Sequence, residues 1–94
     1  MMTEKALQAH VESCAKWLRW RVHHHWMSVR SSPGWPDLVL VRPPRLLAVE
    51  LKRDGHNPTP DQQEWLDDLA ACNVEVYVWR PADWLSGAVE RELR

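Results

Sequence analysis

Apolar residues return every three or four positions along the N-terminal segment, at Leu7, Val11, Cys14, Ala15 and Leu18, and this spacing predicts a helix over residues 4–19. At about 100° per residue Glu4 and Gln8 fall on the same stripe, so both are expected on the buried face. Residues 20–26 are β-branched and aromatic, as in a strand, and Ser31-Ser32-Pro33-Gly34 breaks the chain after them. The runs 37–41 and 46–52 are apolar at nearly every position, which suits strands covered on both faces. Arg42-Pro43-Pro44-Arg45 is expected as a four-residue loop between them. Thr59 reads as an N-cap, with Pro60 at the first helical position and Gln62 completing a capping box. The helix it opens runs to about Cys72, with Trp65, Leu66, Leu69 and Ala70 inward, and Asn73 suits a left-handed C-cap. Residues 74–79 form a further strand, and 82–92 a final helix interrupted by Gly87.

The order is therefore α-β-β-β-α-β-α. A strand, a helix and a strand in succession imply a parallel, right-handed crossover, so the fold class is α/β with a mixed central sheet flanked by helices. A chain of 94 residues has room for one core, and 1–94 is read as a single domain. With 45% hydrophobic and 27% charged residues, disorder is excluded as the main content. No apolar run reaches membrane-spanning length and no signal-peptide core is present, so the expected setting is cytoplasmic, without a membrane partner. Cys14 and Cys72 have no ligand spacing and read as reduced packing residues.

A net charge of −1 rules out coating nucleic acid by bulk charge. Any DNA contact must be local, and Arg19, Arg21, Arg30, Arg42, Arg45, Arg53 and Arg80 are the candidates for a basic surface. The chain has seven Trp and no Phe, more than a small core needs. Trp65 belongs to the helix core, whereas Trp26 and Trp35, beside the Ser-rich loop, could stack on a displaced base.

Candidate chemistry comes from counting across the hairpin. If Val41 pairs with Leu46, partners sum to a constant and Asp37 lies opposite Glu50. Opposed residues share a face, with Cβ atoms roughly 4.5–5.5 Å apart, and like charges there are destabilising unless something compensates. A divalent cation is the natural compensation. Lys52 points to the same face as Glu50 by the strand period of two, and Leu51 to the other. Hard oxygen ligands select Mg²⁺ or Mn²⁺, which activates water and neutralises charge developing on a phosphate, with Lys52 assisting. Glu4 could add a ligand, directly or through water. Taken singly, Asp37 could be a strand-start Asp, and Glu50 with Lys52 a surface pair.

Other residues have competing readings. Gln62 is either the reciprocal partner of Thr59 or a site residue. His23-His24-His25 suggests zinc, yet alternate strand residues face opposite ways and no further Cys or His stands at ligand spacing. His24 is instead placed near the phosphate path or in a plain hydrogen bond. Arg30 and Arg53 border the site as phosphate contacts.

Pro36-Asp37, twelve residues, then Glu50-Leu51-Lys52 resembles the PD-(D/E)XK nuclease signature, and the element order resembles its restriction-endonuclease-like core. Thr3-Glu4-Lys5, Gln8, His24, Ser28, the run Pro33 to Val41, Ala48 to Lys52, Thr59-Pro60-Asp61-Gln62, Trp65-Leu66 and Val76 to Pro81 resemble, in order, the VRR-NUC branch. This branch comprises the virus-type replication-repair nucleases, and the similarity is to its small stand-alone phage and prophage forms. The resemblance implies Mg²⁺- or Mn²⁺-dependent cleavage of DNA, often branched as in Holliday junctions, by a homodimer without a small-molecule cofactor, in the host cytosol if phage-encoded. It implies Asp37, Glu50 and the Leu51 carbonyl as metal ligands, Lys52 as catalytic lysine, Glu4 as first-helix acid and Gln62 near the substrate or site. Arg30, Arg53, His24, Ser28 and Trp35 are the expected DNA contacts. Two other classes remain open: a non-catalytic DNA- or protein-binding module on the same scaffold, and an interaction protein using its exposed Trp residues.

Overall fold

The computed structural model describes residues 1–26, 30 and 32–94. Helix α1 (Glu4–Trp17) starts at Thr3, whose hydroxyl accepts from the Ala6 amide at 3.0 Å. It ends short of residue 19 because Arg19 takes a left-handed conformation, φ +69°. The Trp20 amide then donates to the Ala15 carbonyl and the Arg19 amide to that of Lys16, which closes a Schellman motif and sends Trp20 into the core. Strand β1 (Arg21–His24) follows, shorter than the expected 20–26.

Strands β2 (Leu38–Arg42) and β3 (Arg45–Leu51) form the hairpin in the expected register, with Val41 facing Leu46 and Leu38 facing Val49. The loop is tighter than expected. Arg42 pairs with Arg45, so only Pro43 and Pro44 turn the chain, through a cis peptide bond. Adding one pair at the tip leaves the register unchanged. Helix α2 (Pro60–Ala71) has the full Thr59–Gln62 capping box and ends in a second Schellman motif at Asn73, φ +65°. It crosses over to β4 (Glu75–Trp79), which lies parallel to β3. The sheet order is β1-β2-β3-β4, a mixed sheet as expected.

The predicted final helix is two short ones, α3 (Pro81–Leu85) and α4 (Ala88–Leu93). Gly87 at φ +83° makes the corner between them, an angle that L side chains rarely adopt. Helices α1 and α4 pack on the sheet face that carries Leu38, Leu40, Leu47, Val49 and Leu51. Helix α2 covers part of the opposite face. Among the described residues no helix is long and apolar enough to cross a membrane.

Several arginines assigned to a basic surface are structural instead. Arg42 donates to the Leu18, Leu93 and Arg94 carbonyls and lies 4.5 Å from the Trp20 ring centre. Arg45 makes a two-pronged bond to Glu75, at 2.9 and 2.8 Å. Arg80 holds the loop after β3 through the His56 carbonyl and Asn57.

Candidate active site

The hairpin register carries Asp37 and Glu50 onto the face covered by α2, one pair beyond Leu38 and Val49. Asp37 is half-buried and fixed at both ends. Its carbonyl accepts from the His25 amide at 2.8 Å, and its Oδ2 accepts from the Leu51 amide at 2.8 Å. The N–H and C=O of one strand residue leave the same edge, which directs the Leu51 carbonyl toward the Asp37 side as well. Lys52 is half-buried, and its amide donates to the Trp79 carbonyl at 3.0 Å.

Among the described residues Glu50 is the one charged side chain in the core, at 1% exposure. Its Oε1 accepts from Gln62 Nε2 at 3.2 Å, while its Oε2 is buried without a hydrogen-bond partner. Burial first, and the facing Asp37 carboxyl second, push the Glu50 carboxyl up to about 9; the Lys52 cation opposes the shift and Glu4 adds to it. Two carboxylates give each other no donor unless one is protonated, so the pair is short of positive charge.

Gln62 fills both roles considered for it. Its Oε1 accepts from the Thr59 amide at 2.8 Å as the capping box requires, and its Nε2 is thereby turned to Glu50. Gly34 brings this about. It sits at φ +93°, and a Cβ there would lie 2.6 Å from the Asp61 backbone carbon and 2.8 Å from the Gln62 amide nitrogen. Only glycine lets the loop before Asp37 press this closely on the first turn of α2.

Glu4 departs from expectation: it is exposed, not buried. Glu4 is near enough to raise the Glu50 carboxyl but remains in solvent. Among the described residues no three or more His, Cys, Asp or Glu side chains converge as a ready metal cluster. The prepared oxygens are those of Asp37, Glu50 and the Leu51 backbone. They fit a hard cation, because a buried carboxylate oxygen without a donor is what such an ion would satisfy.

His24 lies away from this face. Its strand partner is Leu38, on the α1 side, and its Nδ1 is 3.1 Å from Gln8 Nε2, with the ring against Trp26. The same register puts His25 opposite Asp37, and thus on the site's face. The sequence reading missed this residue, since no signal aligns β1 with β2 across the long connection between them. Trp35 is half-buried and meets Trp65 edge-to-face, centres 5.0 Å apart. Trp65 is half-buried rather than core, its indole N–H donating to the Pro33 carbonyl at 3.1 Å. Arg30 and Arg53 are exposed. Ser28 lies outside the described residues.

A family model described as the VRR-NUC domain matches residues 2–83. A solved structure titled VRR_NUC domain protein aligns with a TM-score of 0.73 at 23% identity, covering 97% of this chain and 88% of that one. Another, titled VRR_NUC domain, aligns at 0.77 and 22% identity, covering 93% of this chain and 94% of its own. These two likenesses are of fold. No curated protein sequence gives a match.

Proposed function

The chain belongs to the VRR-NUC domain family, a nuclease-type domain, and from that premise we propose that it hydrolyses DNA phosphodiester bonds in a Mg²⁺- or Mn²⁺-dependent reaction at Asp37, Glu50 and Lys52. The observation that carries this reading is the buried Glu50 Oε2 without a partner, facing Asp37. Asp37, Glu50 and the Leu51 carbonyl would hold the cation, leaving room for water and phosphate oxygens. When bound, such an ion supplies Lewis acidity toward the phosphate and eases deprotonation of the attacking water.

The chain's own groups do the rest. The Leu51 amide holds Asp37 in place, and Gln62 orients Glu50. Water attacks phosphorus and releases a proton to solvent, the bond to the leaving sugar oxygen breaks and that oxygen takes up a proton from solvent, and the Lys52 ammonium stabilises the charge gathering on the non-bridging oxygens. Glu4, at the solvent edge, would act through an intervening water. Arg30 and Arg53 would contact phosphates on either side.

The substrate proposed is branched DNA of the Holliday-junction type, cut by a homodimer in a phage-encoded replication or repair role in the host cytosol. Paired cuts across a junction require two sites related by a two-fold axis. A surface groove on β1 and β2, lined by Arg21, Val22, His23, Val39 and Val41, supports a self-association surface. The test is a panel of Holliday junction, flap, single-stranded and linear duplex DNA with Mg²⁺, Mn²⁺ or chelator. Cleavage of branched DNA that needs metal, and falls at least about a hundredfold in Asp37→Asn, Glu50→Gln and Lys52→Ala, is expected; cleavage kept by all three variants would sink the proposal.

A second reading, a non-catalytic DNA- or protein-binding module, is favoured by the fact that among the described residues no three or more metal-ligating side chains converge. DNA binding without turnover, and no stabilisation by Mn²⁺, would select it.

A further inference from the structure

Beside the candidate site lies a cleft of about 330 Å³ lined by His25, Ser32, Trp35 and Trp65. That volume falls within the range of small-molecule sites, roughly 300–1,000 Å³. We propose that this cleft receives an unpaired nucleobase from the nucleotide next to the scissile phosphate. The enzyme would then cut where duplex DNA gives way to an unstacked base. The inference rests on the nuclease reading for the identity of its substrate.

Position is the first ground. Trp35 precedes Asp37 by two residues, and His25 stands opposite Asp37 in the extended β1–β2 register, with its amide bonded to the Asp37 carbonyl. The cleft is therefore tied by backbone to the acid that would hold the scissile phosphate's cation. A nucleotide whose phosphate lies over Asp37 would present its base toward this cleft.

Shape is the second. The Trp35 and Trp65 rings meet at 82°, so they form a corner. A planar ring entering it lies flat on one indole and edge-on to the other, and both geometries are favourable for aromatic pairs. The Trp65 N–H is already bound to the Pro33 carbonyl, which fixes that wall and leaves it no donor to offer. The His25 imidazole and the Ser32 hydroxyl can each donate or accept, and they supply the polar groups that a base edge needs.

Charge is the third. Among the described residues the cleft is lined by His25, Ser32, Trp35 and Trp65, none of them a Lys or Arg that would hold a phosphate. On the other side of Trp65 runs a groove lined by Asp61, Glu64 and Asp68, which repels the DNA backbone. A neutral aromatic ring suits the cleft, and the phosphates are directed past it toward Asp37.

Two measurements on the wild-type protein test this. In chelator, a branched DNA with 2-aminopurine at the unpaired position beside the cleavage point is titrated with protein. Stacking predicts a several-fold fall in its fluorescence, which Trp35→Ala should remove while circular dichroism stays native. In Mn²⁺, an abasic residue at that position should lower kcat/KM at the adjacent phosphate by about tenfold, within what base–aromatic stacking contributes. Unchanged fluorescence together with equal cleavage of abasic and intact substrates overturns the proposal and leaves the nuclease reading standing. Failure to cut any DNA with either metal overturns the nuclease reading instead, and the fluorescence measurement still decides whether the cleft takes a base.

Discussion

Gln62 donates its amide to Glu50 at 3.2 Å while its carbonyl oxygen caps the helix through Thr59. One side chain thus ties the start of α2 to the acid on β3. The same bond that begins the helix aims the donor, so helix capping and the positioning of Glu50 depend on each other. Substituting Gln62→Ala leaves the Thr59 amide and Glu50 Oε1 unpaired, and should lower stability by about 1–3 kcal/mol. Gln62→Glu keeps an acceptor for Thr59 but places a third carboxylate against Glu50. It should retain the cap and still lose activity. Urea denaturation with a metal-dependent cleavage assay separates the two effects, and equal behaviour of both variants would contradict the shared role.

The Glu50 carboxyl, raised by burial and by Asp37, makes the metal-free protein sensitive to pH. Between the ordinary carboxylate value and about 9, the folded chain keeps a proton that the unfolded chain has released. Protons bound to the unfolded state are then fewer, so stability falls as pH rises across that window, by at most about 1.4 kcal/mol per unit. Denaturation in chelator at about pH 6 and about pH 8 should show this slope. Glu50→Gln should flatten it, since its amide gives Asp37 a neutral donor. Mn²⁺ should restore more stability at the higher pH, because the cation takes the proton's place. A slope of opposite sign would remove Glu50 as its source.

Gly34 and Gly55 offer a controlled comparison. Both have positive φ, +93° and +81°, but a Cβ at Gly34 collides with the α2 backbone, whereas at Gly55 it meets open space. Gly55→Ala should cost about 1 kcal/mol from backbone conformation alone. Gly34→Ala adds overpacking, for a total of roughly 2–5 kcal/mol, and displaces the Gln62 donor from Glu50. Thermal melts rank the two, and a cleavage assay should show loss only for Gly34→Ala. Equal costs would mean that the contact between the loop and α2 is not rigid.

What could be read from the chain is what short-range rules govern. The Thr59–Gln62 box, the Asn73 cap and the apolar strands are properties of neighbouring residues, and the hairpin register follows from a loop only a few residues long. Counting across it set Asp37 against Glu50 without any structure. The break at Gly87 was visible for the same reason, although the sharpness of the corner was not.

Tertiary structure decided everything that depends on residues distant in sequence. The face on which each histidine lies follows from the β1–β2 pairing, and a long connection between those strands carries no register signal; hence His25, not His24, shares the face of Asp37. Helical periodicity put Glu4 on the buried stripe, but burial on α1 begins only at Leu7, and Glu4 stays in solvent. Arg42 and Arg45 resemble surface charges until the C-terminal carbonyls and Glu75 are brought to them by the fold. Trp65 reads as core until Trp35 meets it at the edge of an open cleft. Local hydrogen-bond and periodicity rules act over one turn or one strand pair, and so determine elements. Which elements then face each other is set by burial summed over the whole chain, and no short window of sequence contains that sum.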